Sequence, residues 1–296
     1  MSSSFFFLQA EKNDHNSNFI EALERHAESN NQQIYVVDRP LGDRKYTYDY
    51  IDRLIILAPG HKTVLMDFGT NKDKFEEFVD DFTEDLASIS DKFQYKSIIG
   101  RSRYWRDKLI AVEKYHTSQL NTSEFFSKFK IRDSRDKKSE ELLISLLTGS
   151  INDIEQVKAD VPDNILDKVK QKIVLFDGDQ TRFIYQKPEN KKVTIQRLSG
   201  TGKTELLLHK LKDIYTASKD KKIIFTCHNK ILADSLRSRI PDFFNFMKVE
   251  EQIRWNERLW CVRAWGSQDN RNSGAYSYMC NYYKSLSTAI AIQQCY

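Results

Sequence analysis

At 296 residues, with 40% hydrophobic and 12% aromatic residues, the chain has room for two domains of ordinary size and enough apolar side chains to fill their cores. Its 46 basic and 42 acidic residues leave a formal charge of +4, which permits a nucleic-acid partner without demanding one. Ten glycines and five prolines argue against a long low-complexity linker. No apolar run reaches the ~18 residues a membrane span needs, and the cysteines (Cys227, Cys261, Cys280, Cys295) lack the close spacing of a zinc site.

The N-terminus has no basic segment ahead of its short apolar patch, so Phe5–Leu8 reads as a strand or buried segment and not as a signal peptide. A cytoplasmic protein with free thiols and no membrane partner is the expectation. Helical periodicity over Asn18–Glu28 precedes a strand-like Ile34–Val37. Leu54–Ala58 and Thr63–Phe68 read as two strands joined by a turn at Pro59-Gly60. Phe75, Phe78, Val79, Phe82, Leu86 and Ile89 recur at helical spacing and predict one buried face. Glu76, Glu77, Asp80, Asp81 and Glu84 then form the solvated side of that helix. The charged stretch Lys128–Glu140 fits a linker or the start of a charged helix. Short helical segments follow over Glu141–Leu147, Asn152–Val157 and Asn164–Ile173. The expected organisation is an α/β accessory region over residues 1–165 and a nucleotide-binding domain over 166–296.

The second half carries the chemistry. Val193–Gln196 reads as a strand, Arg197–Gly202 as a loop, Thr204–Ser218 as a helix and Ile223–Thr226 as another strand. Within it, Ser199-Gly200-Thr201-Gly202-Lys203-Thr204 has the composition of a phosphate-binding loop. Gly200 and Gly202 let the backbone turn its N–H groups inward, and the helix N-terminus adds a favourable dipole behind the same phosphates. Lys203 is positioned to neutralise phosphate charge, and the Thr204 hydroxyl to coordinate Mg²⁺ beside a bound ATP. The general motif has glycine where this chain has Arg197.

Three further stretches, in order, resemble superfamily 1 helicases of the UvrD/Rep type. Gln180, 23 positions before Lys203, stands where that family places an adenine-binding glutamine. Ile224-Phe-Thr-Cys-His-Asn-Lys-Ile-Leu-Ala233 is similar to the family's motif Ia, and its Thr226, Asn229, Lys230 and Ala233 fill the strand-contacting slots. Trp260-Cys-Val-Arg-Ala-Trp265-Gly266-Ser267 is a looser match to motif Ib. The resemblance implies an incomplete RecA-like P-loop domain that binds ATP and Mg²⁺, with single-stranded nucleic acid, DNA in preference to RNA, at Thr226, Asn229, Lys230 and Trp265. Gln180 also fits an ordinary turn residue, Asn229-Lys230 a plain helix start, and the tryptophans core packing.

The same family requires an Asp-Glu pair at the end of a later strand, and none follows Lys203. Two earlier strings mimic it: Asp67 reads as a strand-end residue and Asp177 as part of the adenine-side loop. Asp67 with Glu76 or Glu77 makes too sparse a set for a nuclease metal site. The leading reading is therefore the ATP-binding part of a helicase-like ATPase, truncated and unable to unwind alone. A non-hydrolysing nucleotide- or nucleic-acid-binding module, such as a regulatory partner protein, stands as the alternative. A P-loop kinase is disfavoured by the match over Thr226–Arg237.

Overall fold

Runs of β-branched and aromatic residues build the first sheet: Phe6–Gln9 (β1), Ile34–Val37 (β2), Arg53–Leu57 (β3), Thr63–Asp67 (β4) and Ile110–Lys114 (β5). The computed structural model describes residues 4–157, 173–188, 192–196, 200, 202–266 and 273–282. It divides the chain into two compact units, Met1–Thr194 and Ile195–Tyr296. The fold is mixed α/β.

In the first unit the five strands lie in sequence order. β1 and β2 are parallel, joined through Ser17–Asn30 (α1), and β2, β3 and β4 form an antiparallel meander. A crossover through Lys72–Lys92 (α2), Lys96–Ile99 (α3) and Ser102–Leu109 (α4) brings β5 parallel to β4. Helices cover both faces, which is why β2, β3 and β4 are buried at every position and read as continuous apolar runs. Tyr35, Val37, Ile55, Leu57 and Leu65 point to one side, with Phe78, Phe82 and Leu86 of α2 and Leu143 and Leu147 of Ser134–Thr148 (α6). Ile34, Val36, Leu54, Ile56 and Met66 point to the other, against Phe19 and Leu23 of α1 and Phe125 and Phe129 of Thr122–Phe129 (α5). Each such side chain contributes roughly 1.5–3 kcal/mol by leaving water.

The charged stretch resolves as a helix start. Asp133 caps α6, its carboxylate accepting from the N–H groups of Arg135 and Asp136 at 2.9 Å each. Glu76, Glu77, Asp80, Asp81 and Glu84 are exposed on α2, as a solvated face requires. Asp67 ends β4 and is buried, accepting from the Tyr50 hydroxyl and, at 2.9 Å, from the Gly69 N–H. Among the described residues no group of three His, Cys, Asp or Glu side chains could hold a metal ion. Nor is any described helix long and apolar enough to cross a membrane. Ile154–Val157 (α7) follows α6, and the expected helix Asn164–Ile173 lies, all but Ile173, outside the described residues.

Glu140 of α6 is fully buried. Its Oε2 accepts from the Gly60 N–H at 3.1 Å, while its Oε1 has no hydrogen-bond partner among the described residues. Burial first, and the neighbouring Glu141 charge second, hold its carboxyl well above the usual carboxylate range. A raised folded-state value means a contribution to stability that is present in acid and lost as pH rises toward that value. Glu140→Gln removes the ionisable group. It is expected to raise stability more at pH 8 than at pH 5, because glutamine carries no charge to desolvate at the higher pH. Denaturant unfolding at the two pH values reads the difference, and an equal effect at both would refute the assignment.

The second unit is built from Lys203–Ala217 (α9), Ile223–Cys227 (β6), Lys230–Phe246 (α10), Leu259–Arg263 (β7) and Ala275–Tyr282 (α11); Gly178–Tyr185 (α8) precedes it in the first unit. β6 and β7 pair in parallel from Ile223↔Leu259 to Cys227↔Arg263, with α10 as the crossover. Leu259 and Cys261 are buried on β7, as are Ala233, Leu236 and Ile240 on α10, and the Cys261 thiol donates to the Ala233 carbonyl at 3.4 Å.

One expected element is absent. Val193–Gln196 has no regular structure, and Val193 is 51% exposed. β-branched residues favour an extended chain, but a strand also needs a neighbour for its N–H and C=O groups, and among the described residues the second sheet contains β6 and β7 alone. The helix half of the expected strand–loop–helix unit is present; the first strand is not.

Candidate functional site: a phosphate loop and the ends of two parallel strands

Gly202 is the N-cap of α9, in the left-handed region at φ 77°, and has no side chain with which to cap the helix. Gly200 lies in the same region at φ 75°. Among the described residues, a Cβ added to either glycine would meet nothing within 4 Å. Lys203 and Thr204 are the first two residues of α9, Lys203 half-buried and Thr204 exposed. As a glycine, Gly202 brings no capping side chain to the first turn, and a helix N-terminus of this kind favours an anion. Glu205, the next residue, is held by Arg239 of α10 at 2.6 Å, which offsets its charge beside this end of the helix. Ser199 and Thr201 lie outside the described residues.

Deeper in the same helix, His209 is buried edge-on against Phe243, ring centroids 4.9 Å apart. Burial, and secondarily the Lys212 charge, push its imidazole down to about 3. A depressed base binds protons more weakly folded than unfolded, so stability is present above the ordinary histidine value and lost as pH falls below it. The protein is expected to be on the order of 2 kcal/mol less stable at pH 5 than at pH 7.5 through this group. His209→Phe should flatten that slope in urea titrations; an unchanged slope would contradict the assignment.

The second cluster stands where β6 and β7 end. Thr226 is the exposed fourth residue of β6, and Asn229 caps α10 by accepting from the Leu232 N–H at 2.8 Å. The cap commits the Asn229 amide oxygen and leaves its amide nitrogen able to donate. Lys230 opens α10 and is exposed. On the adjacent strand, the Ala264 N–H donates to the Cys227 carbonyl at 2.7 Å, placing Trp265 beside this loop. Trp265 is 48% exposed, its ring centroid 5.7 Å from that of Tyr276. The structure therefore brings Thr226, Asn229, Lys230 and Trp265 together, because parallel strands end on the same side of their sheet.

Gln180 belongs to the first unit. It is the third residue of α8 and forms a capping box with Asp177: its N–H donates to the Asp177 carboxylate at 2.8 Å, and its side-chain oxygen accepts from the Asp177 N–H at 2.9 Å. Asp177, one of the two mimics of an acidic motif, is thus a helix cap. α8 is tied to β1 and the segment leading into it by Gly178 N–H to Ser4 carbonyl (2.8 Å) and by Arg182 to the Phe6 carbonyl (3.0 Å).

Sequence reasoning missed Arg258, whose guanidinium is buried against the Tyr215 ring at 4.0 Å and bonds Glu251 and the carbonyls of Tyr215 and Ser218. A lone arginine between Glu257 and Leu259 carries no local signal of burial. The three described cysteines are free, and burial pushes the Cys261 thiol up to about 11, which makes it a packing residue and no nucleophile.

Residues 153–290, just under half of the chain, match the family model described as type III restriction enzyme, res subunit, a helicase-like phosphate-loop family. No curated protein and no solved structure matches the chain.

Proposed function

We propose that the chain contains the ATP-binding part of a helicase-like ATPase of superfamily 1 character that acts on single-stranded nucleic acid, DNA in preference to RNA. The observation that carries this reading is the N-terminus of α9, with Gly202 as its N-cap and Gly200 and Gly202 both left-handed, in the order phosphate loop, Thr226–Lys230, Trp265. Lys203 and the loop amides would hold the phosphates of ATP, and the Thr204 hydroxyl the Mg²⁺, which supplies charge neutralisation between phosphate oxygens when bound. The Asn229 amide, Lys230 and Thr226 are the contacts to a nucleic-acid backbone in this reading. Residues 1–165 are assigned as an accessory region.

A second reading has its own support. No Asp-Glu pair follows Lys203, and β7 runs into Arg263-Ala264, so no described strand of this unit presents the acidic pair that activates water. A nucleotide-binding module without turnover, or a motor part that cannot unwind alone, fits that fact. Binding of ATP with Mg²⁺ by the intact chain and by Lys203→Ala tests the first reading. Multiple turnover by the intact chain would reject the second.

A further inference from the structure

We infer that Tyr276 is a positioning residue that presents Trp265 as a stacking platform for an unpaired base, and that Met279 extends the same ledge. The assignment rests on the proposal that nucleic acid binds at the ends of β6 and β7.

An indole on a loop would ordinarily sample several rotamers, and a partner would have to order it at a cost of roughly 0.5–1.5 kcal/mol. Here that ordering is built into the fold. Three backbone hydrogen bonds fix the segment: Ala264 N–H to Cys227 carbonyl at 2.7 Å, Tyr276 N–H to Ala264 carbonyl at 2.8 Å, and Ser277 N–H to Trp265 carbonyl at 3.0 Å. Gly266 and Gly274 cross in direct backbone contact, where a Cβ on Gly274 would collide with the Gly266 main chain and one on Gly266 with Ser277. Gly266 also has φ +109°, a conformation that other residues rarely adopt. This crossing seats the start of α11 against Trp265, and the Tyr276 ring meets the indole at 60°. Edge contacts of this type contribute about 0.5–1.5 kcal/mol beyond area burial.

The ledge remains accessible. Trp265 is 48% and Met279 is 52% exposed, and Met279 lies three residues after Tyr276, on the same side of the helix. The surrounding charge suits a polyanion. His228, Lys230 and Arg263 stand at these strand ends, and the three basic side chains outnumber the nearby Asp234 carboxylate, one turn into α10. An apolar, rigid ring flanked by cations is the arrangement by which proteins hold single strands without reading sequence.

Binding of a labelled single-stranded thymidine oligonucleotide, together with fluorescence anisotropy of Trp265 (isolated by difference from Trp265→Phe), tests the assignment. Trp265→Ala is expected to weaken binding by about 5- to 150-fold, the value of one base stack. Tyr276→Leu should weaken it by about 2- to 10-fold and lower Trp265 anisotropy before any ligand is added, whereas Tyr276→Phe should restore both. ATP affinity should be unchanged in all three variants, which separates the effect from misfolding. If the intact protein binds the oligonucleotide and Tyr276→Leu matches it in affinity and anisotropy, the assignment is overturned and the nucleic-acid reading stands. If the intact protein does not bind the oligonucleotide, both are overturned.

Discussion

Lys203→Ala will weaken binding of Mg²⁺-ATP by about 10- to 100-fold, with little change in thermal unfolding. The magnitude follows from the contact removed: a hydrogen bond to a charged group contributes about 1.5–3 kcal/mol, and 1.4 kcal/mol is a factor of ten in affinity. The loss is partial because the backbone N–H groups of the loop and the end of α9 survive the substitution. Folding should be spared because Lys203 is the first residue of a 15-residue helix, where alanine is a better helix former than lysine. Isothermal titration of both proteins, with thermal melts as the control, makes the comparison. Equal affinity would remove the phosphate loop from any account of function, and a collapsed melt would reassign Lys203 to structure.

Arg258→Ala should cost the second unit about 3 kcal/mol, the lower end of what breaking a buried ion pair removes. The lower end applies because Glu251, its partner, is 27% exposed and can be rehydrated, whereas the Arg258 side chain is only 4% exposed. The guanidinium performs three tasks at once. It satisfies the carbonyls of Tyr215, at the end of α9, and of Ser218, just beyond it, at 2.9 and 2.6 Å, stacks on the Tyr215 ring, and pairs with Glu251. Its own backbone carbonyl accepts from the Ile223 N–H at 2.7 Å, so the same residue also registers the start of β6. In a unit of about 100 residues such a loss lowers the melting temperature by on the order of 10 °C or more. Arg258→Lys should recover only part of it, because an ammonium has neither the planar surface for Tyr215 nor the fork that reaches several acceptors. A melt within 2 °C of the parent for Arg258→Ala would show that the carbonyls are satisfied some other way.

The two effects differ in how far ahead of the structure they could be seen. Lys203 was legible because phosphate binding demands particular residues in an unbroken run, Gly200 through Thr204, and a run survives in a sequence. Thr226, Asn229, Lys230 and Trp265 were legible as a motif series, but their meeting at one sheet edge depends on β6 and β7 pairing in parallel. Arg258 was not legible at all. Its partners come from residues 215, 218 and 251, and no pattern of spacing announces that a charged side chain will be buried among them.

The amino-acid order alone determined the elements whose signal is periodic or local. The phenylalanines of α2, the apolar runs of β2, β3 and β4 and the leucines of α9 each satisfy their own backbone or pack along one face, so the spacing is sufficient. The tertiary structure decided whatever needs a partner from elsewhere in the chain. It left Val193–Gln196 without strand structure, because among the described residues no neighbouring strand takes up its backbone groups. It turned Gln180 and Asp177 into a reciprocal helix cap. It also set Trp265 against Tyr276 through two glycines whose contact no sequence window contains. Hydrogen bonds within a helix are written in adjacent residues, whereas sheet pairing and the burial of a charge are properties of what the fold brings alongside.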